Sequence, residues 1–325
     1  MTFDPARRVA LDTKAACRSR AARRGYDGAE MRLATIFDGR RRTVALVDPD
    51  AAAVRPLSLN GDDGTPLDMQ TLIERWDTLR GVLADAVRPR VDLGAVRLEA
   101  PIPRPRRNLM CVGKNYRDHA AEFGRSGFDS SAGSDAAAPP EVPIIFTKVP
   151  DCVIAHGEPI RYPEGTSDSL DYEAELAVVI GTGGRGISPE LAYEHVFGYT
   201  IVNDVTARDW QARHKQWFLG KSFDTFCPMG PWIVTADALD VADLGVRCWV
   251  NGELRQDART RDLIFDVPAL IATISPGITL YPGDVIATGT PAGVGIGFTP
   301  PKYLQPGDDV RIEIEGIGTL RNPVR

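Results

Sequence analysis

The stretch Asp171-Tyr-Glu-Ala-Glu-Leu-Ala-Val-Val-Ile-Gly181, DYEAELAVVIG, decides the fold class. Strict alternation puts Tyr172, Ala174, Leu176, Val178 and Ile180 on one face of a β-strand, and Glu173 and Glu175 share the other. A strand inside a parallel, doubly covered sheet would be apolar throughout, so this one belongs to a different architecture. The run FGYTIVND (197–204) comes next, and outward from the pair lie VPIIFTKV (142–149), PWIVTA (231–236), VRCWVNGELR (246–255), GDVIATG (283–289) and DVRIEIEGIGTL (309–320). Many short strands punctuated by Gly and Pro, with few long helices, predict an α+β, mostly β core.

Upstream, RLATIFDGRRRTVALVD (32–48) reads as a hairpin around Asp38-Gly39. MQTLIERWDTLRGVLADAV (69–87) reads as one amphipathic helix, with Leu72, Ile73, Trp76, Leu79 and Leu83 at helical spacing. The Pro- and Arg-rich segment 88–108 reads as a surface linker. The expected division is an N-terminal extension over 1–30, a small α+β domain over 31–100 and a larger domain over 101–325. Residues 1–30 are rich in Arg and Ala but lack the apolar centre of a secretory signal.

Composition narrows the function classes. With 325 residues, 43% of them hydrophobic and 25% charged, the chain can bury a sizeable core. No apolar run approaches the roughly 18 residues of a membrane span. A net charge of −6 speaks against a dedicated nucleic-acid binder. Five scattered cysteines without a CxxC pair fit a reducing, cytoplasmic setting rather than a disulfide or zinc framework. The GxGxxG match at 181–186 is a decoy for a dinucleotide site. The next helix starts late, with Ser188 as N-cap and Pro189 at its first position, so the third glycine stays in the loop.

Chemistry concentrates in a few places. Glu173 and Glu175 on one face, Cα atoms roughly 6.5–7 Å apart, repel each other unless water or a cation intervenes. Asp204, at the end of the following strand, is a third carboxylate within reach of such a site. Hard oxygen ligands with neither His nor Cys suit magnesium or manganese, with calcium as the alternative, rather than zinc. In VTARDWQARHKQW (205–217), Arg208 and Gln211 share a helical face and either reach a substrate or lie at the surface. Lys221, between Gly and Ser, can neutralise an anion. His119 and Glu122 stand three apart in CVGKNYRDHAAEFG (111–124), where a carboxylate would fix the imidazole tautomer of a general base. Thr290 lies in a glycine-rich turn, ATGTPAGVGIG (287–297), suited to a carboxylate or simply to a tight bend.

Five ordered motifs, NYRDHAAE (115–122), DYEAELAVVIG, GYTIVNDVTARDWQ (198–211), GKSFDTFCPMGP (220–231) and LYPGDVIATGTPAGVG (280–295), resemble the fumarylacetoacetate hydrolase family. The resemblance covers about Asn108 to the C-terminus. It implies a mixed β-sandwich roll with a smaller N-terminal domain, a homodimer, and magnesium or manganese held by Glu173, Glu175 and Asp204. It further implies His119 and Glu122 as catalytic dyad, Lys221 near the substrate, Thr290 in the carboxylate-binding turn, and Arg208 and Gln211 as substrate contacts. The namesake's additional metal-binding aspartate near NYRDH has no counterpart here. The expected reaction is hydrolysis of the C–C bond of an acylpyruvate-type 2-oxo acid through a metal-bound pyruvate enolate, in aromatic or related catabolism. The alternatives on the same site are an oxaloacetate-type decarboxylase or a keto–enol isomerase; a ligand-binding paralogue without turnover stands behind them. The apolar-poor segment 123–143, directly after Glu122, is expected to be a lid.

Overall fold

The computed structural model describes residues 31–61, 64–83, 85–125 and 139–325. The expected extension over 1–30, and the greater part of the expected lid, lie outside the described residues.

Strand Ala174–Ile180 is buried at every position and is hydrogen-bonded on both edges. On one side it runs antiparallel to Val196–Asn203, on the other antiparallel to Val285–Ala287. That hairpin-like pairing leaves no room for a parallel crossover, so 181–186 is a glycine-rich connection. Ser188 stands at the N-cap position of the helix that begins at Pro189, a 3₁₀ segment ending at His195, but its side chain makes no capping hydrogen bond there. The sheet continues from Val196–Asn203 to Cys227–Thr235, then to Arg32–Phe37 and Arg42–Asp48. In the other direction Val285–Ala287 pairs in parallel with Leu109–Gly113, which pairs antiparallel with Ile144–Lys148. The sheet is therefore mixed.

A second antiparallel sheet has the order Glu253–Arg259, Gly245–Val250, Asp309–Ile314, Gly318–Pro323. Leu176, Val178, Ile180, Tyr199 and Ile201 of the first sheet meet Val246, Cys248, Val310, Ile312 and Ile314 of the second in one apolar cluster. On the opposite face Ala177, Val179, Val202 and Ile233 pack with Met69, Leu72 and Ile73. Each large aliphatic side chain buried there contributes about 1.5–3 kcal/mol relative to exposure. The result is the expected α+β, mostly β sandwich.

The hairpin at 32–48 forms with Phe37 opposite Arg42 and Asp38 accepting from the N–H groups of Arg40 and Arg41. Two N-terminal expectations need correction. The single helix over 69–87 is broken into Met69–Glu74 and Trp76–Leu79, because Arg75 leaves helical geometry at φ −103°, ψ 17°. Trp76 then turns edge-on to Phe197, ring centroids 4.9 Å apart, a contact outside the helix that periodicity cannot foresee. The linker over 88–108 does not simply run over the surface. Arg97–Leu98 pairs with Arg32–Phe37, and Ala100 and Ile102 are buried. Hydrogen bonds between Arg32–Phe37 and Cys227–Thr235 cross the expected boundary near residue 100.

Candidate active site

Antiparallel register builds the acidic centre. Ala174 lies opposite Asn203, and the Asp204 N–H donates to the Glu173 carbonyl at 2.9 Å. Residue 204 thus falls opposite 173 and shares its face with 173 and 175, since side chains alternate. One carboxylate oxygen from each of Glu173, Glu175 and Asp204 lies within 4.8 Å of the others, all three buried. Asn203 holds the corner, its side-chain oxygen accepting from the Glu173 N–H at 3.0 Å. A solvated acidic face is thereby excluded, as both edges of the strand are paired and Glu173 and Glu175 are 4% and 1% exposed.

Buried cations answer two of the three acids. Lys221 Nζ donates to Glu173 Oε2 at 2.6 Å and to Asp204 Oδ2 at 2.8 Å. Arg208 Nη1 lies 2.7 Å from Glu173 Oε1. Against the burial that opposes its charge, Lys221 and Arg208 hold the Glu173 carboxyl down at about 2. Lys148 Nζ donates to Asp204 Oδ1 at 2.7 Å and to the carbonyls of Val205 and Lys221. Glu175 differs. Its partner is the Gly289 N–H at 2.9 Å, and burial, then Asp204 and Glu173, push its carboxyl well above the usual range. Gly289 can approach so closely because it sits at φ +101° with its α-carbon against Asn115, where a Cβ would come within 2.7 Å.

A carboxylate held in that state fits a divalent cation. Three hard oxygens converge, and a dication beside Glu175 would relieve both its desolvation and the repulsion from its neighbours. The donor set suits magnesium or manganese.

The opposite wall comes from helix Arg117–Arg125. His119 Nδ1 is 3.4 Å from Glu122 Oε2, and the Glu122 carboxylate also accepts from the Gly293 N–H at 3.1 and 3.2 Å. Gly297 lies against the same carboxylate, where a Cβ would stand 1.8 Å from Oε1. Phe123, Trp217, Val294 and Ile296 form an apolar cluster under this helix. His119, Lys221, Glu173, Glu175, Arg208, Gln211 and Thr290 all line one pocket, together with Phe123, Phe146 and Trp217.

Arg208 and Gln211, buried at 1% and 2% exposure, are not surface side chains. Arg208 donates through Nε to Asp171 Oδ2 at 2.9 Å and through Nη1 to Gln211 Oε1 at 3.2 Å. Its Nη2 has no hydrogen-bond partner among the described residues. The Thr290 hydroxyl accepts from Gln256 Nε2 at 2.8 Å. All nine residues singled out from the sequence therefore converge on one site. Lys148, Asp171 and Gln256 were missed. A lysine inside the apolar run VPIIFTKV was a legible signal for the first; the other two become visible only through long-range contacts.

The β-sandwich carries three converging carboxylates, a His–Glu pair and buried lysine and arginine, and the chain belongs to the fumarylacetoacetate hydrolase family. The family model for the fumarylacetoacetate (FAA) hydrolase C-terminal region matches residues 108–325. Among relatives, oxaloacetate tautomerase YisK of Bacillus subtilis is 55% identical over 233 residues, which are 71% of this chain and 74% of that protein. Fumarylacetoacetate hydrolase of psychrophilic Exiguobacterium antarcticum superposes with a TM-score of 0.76 at 42% identity, covering 91% of this chain and 99% of that one. Maleylpyruvate hydrolase of Sphingobium sp. SYK-6, solved with manganese(II) and pyruvate, superposes with a TM-score of 0.72 at 32% identity, covering 90% and 98%.

Proposed function

We propose that the chain interconverts the keto and enol forms of a short 2-oxo dicarboxylic acid of the oxaloacetate type. The observation that carries this reading is His119, backed by Glu122, facing buried cations and carboxylates across one pocket. It supplies a proton carrier and an anion-stabilising wall, which is what a 1,3-proton shift needs. The 55%-identical relative named as an oxaloacetate tautomerase supports this over the hydrolysis expected from the sequence.

Glu173, Glu175 and Asp204 would hold magnesium or manganese, which when bound supplies Lewis-acid polarisation of the 2-oxo group. The buried Arg208 Nη2 has a donor to offer a substrate carboxylate. Glu122 accepts from His119 Nδ1, which leaves Nε2 as the ring nitrogen for the substrate. Nε2 takes a proton from C3, negative charge moves onto the 2-oxygen, and the Lys221 ammonium stabilises it. Return of that proton from Nε2 to the 2-oxygen completes the enol and leaves the imidazole neutral.

The same dyad would deprotonate water in an acylpyruvate hydrolysis, a second reading favoured by the likeness to maleylpyruvate hydrolase. Decarboxylation of oxaloacetate needs no base, so His119→Ala separates the chemistries. The variant is expected to slow enol formation, followed by ultraviolet absorbance in manganese, by about 10² or more while sparing decarboxylation. Wild-type protein that cleaves maleylpyruvate but leaves oxaloacetate tautomerisation at its uncatalysed rate would replace this reading with hydrolysis.

A further inference from the structure

Asp171 is fully buried and takes no part in the chemistry above. Its two oxygens accept four donors. Oδ1 takes the N–H groups of Tyr172 at 2.9 Å and Gly295 at 2.6 Å. Oδ2 takes the Ile296 N–H at 3.0 Å and Arg208 Nε at 2.9 Å. A carboxylate has about four lone-pair sites, so this one is saturated.

Two of those donors belong to the turn 293–297, and that turn carries the proton-transfer apparatus. Its Gly293 N–H is bonded to Glu122, its Gly297 abuts the same carboxylate, and Ile296 packs in the cluster that contains Phe123 of the His119 helix. The Gly293 carbonyl is pinned from the other side by the Tyr172 hydroxyl at 2.8 Å, next in chain to Asp171. Of the other two donors, one is the Tyr172 N–H and the other is the Arg208 guanidinium, whose Nη1 reaches Glu173 and Gln211.

We propose that Asp171 is a positioning residue that sets the Arg208 guanidinium and the seat of Glu122 together, so that one buried carboxylate couples substrate anchoring to proton transfer. The proposal rests on the reading that Arg208 and His119 serve a 2-oxo acid. Its force comes from acceptor count. Asparagine has the same shape but accepts at one oxygen only, and its amide would confront two donors. Asp171→Asn must therefore release Arg208, the turn, or both.

The test uses full-length chain loaded with manganese, with oxalate as the probe ligand, in wild type, Asp171→Asn, Glu122→Gln and the double variant. Asp171→Asn is expected to bind oxalate at least tenfold more weakly by calorimetry. Amide hydrogen exchange is expected to quicken in 293–297 and also in helix 117–125, which Asp171 does not touch. Glu122→Gln should lower kcat strongly in wild type and little further in Asp171→Asn, because the two act through one seat. Unchanged oxalate affinity, unchanged exchange in the helix, or fully multiplicative kcat effects would each overturn the coupling. If Asp171→Asn does not fold, the coupling is read in wild type. Oxalate should slow exchange in both 293–297 and 117–125, Arg208→Gln should abolish that transmission, and its survival would sink the proposal. Wild-type protein that does not bind oxalate would refute the 2-oxo-acid reading instead, while ligand-free exchange in Asp171→Asn still judges the clamp.

Discussion

At Glu175 the metal-free fold bears an electrostatic cost. Burial, Asp204 and Glu173 raise its carboxyl, whereas Lys221 and Arg208 hold Glu173 low. A carboxyl whose folded pKa is raised costs stability once pH exceeds the unfolded value, because the unfolded chain ionises it more readily than the fold does. Glu175→Gln keeps an acceptor for the Gly289 N–H and removes the charge. Metal-free Glu175→Gln is therefore expected to be more stable than metal-free wild type by on the order of 1 kcal/mol in urea unfolding. Manganese should raise the wild-type melting temperature by mass action and leave the variant nearly unmoved. A variant still stabilised by manganese would place the metal elsewhere.

On the mechanism proposed above, activity depends on helix Arg117–Arg125 seated on the turn 293–297. Beside its hydrogen bonds from the Gly293 N–H, the Glu122 carboxylate meets that turn in a close approach that only glycine permits at residue 297. In Gly297→Ala the new methyl meets the far end of a flexible side chain, so Glu122 swings away and the backbone need not move. The expected result is a kcat lowered by about tenfold or more through loss of His119 orientation, with an unfolding midpoint close to wild type. Gly113 is the contrast, because a Cβ there would stand 2.2 Å from the rigid Trp217 ring. Gly113→Ala is expected to lose stability as well as activity, and calorimetric melting of the two variants side by side checks the difference.

At the scale of the molecule, the first sheet joins residues on both sides of position 100. Arg32↔Val234 and Leu33↔Ile233 are paired, and one apolar cluster holds Leu33, Val44 and Leu72 together with Val179, Val202 and Ile233. Strands sharing a ladder and a core open together, so the metal-loaded chain is expected to unfold in one cooperative transition by both far-ultraviolet and tryptophan signals. A separate early transition, with hydrogen exchange confined to 31–100, would mark that segment as an independently folding domain. Among the described residues no helix is long and apolar enough to cross a membrane.

By itself the sequence determined what depends on near neighbours and on motif order. Period-two alternation in 171–181 determined which carboxylates share a face, helical spacing brought His119 to Glu122 and Arg208 to Gln211, and five ordered motifs identified the family. Asp38-Gly39 determined a hairpin through local turn chemistry. Tertiary structure alone decided what depends on separated segments. It turned the acidic face inward by pairing both edges of its strand, and it broke the helix at Arg75 to seat Trp76 on Phe197. It also sewed part of 88–108 into the sheet and brought Lys148 to Asp204 across 56 positions. Asp171 is the clearest case, since its place in the sequence says nothing of Gly295 and Ile296, more than a hundred residues downstream. Side-chain periodicity is written in adjacent residues, whereas the filling of a buried carboxylate's acceptor sites is settled only when distant backbone donors are brought to it.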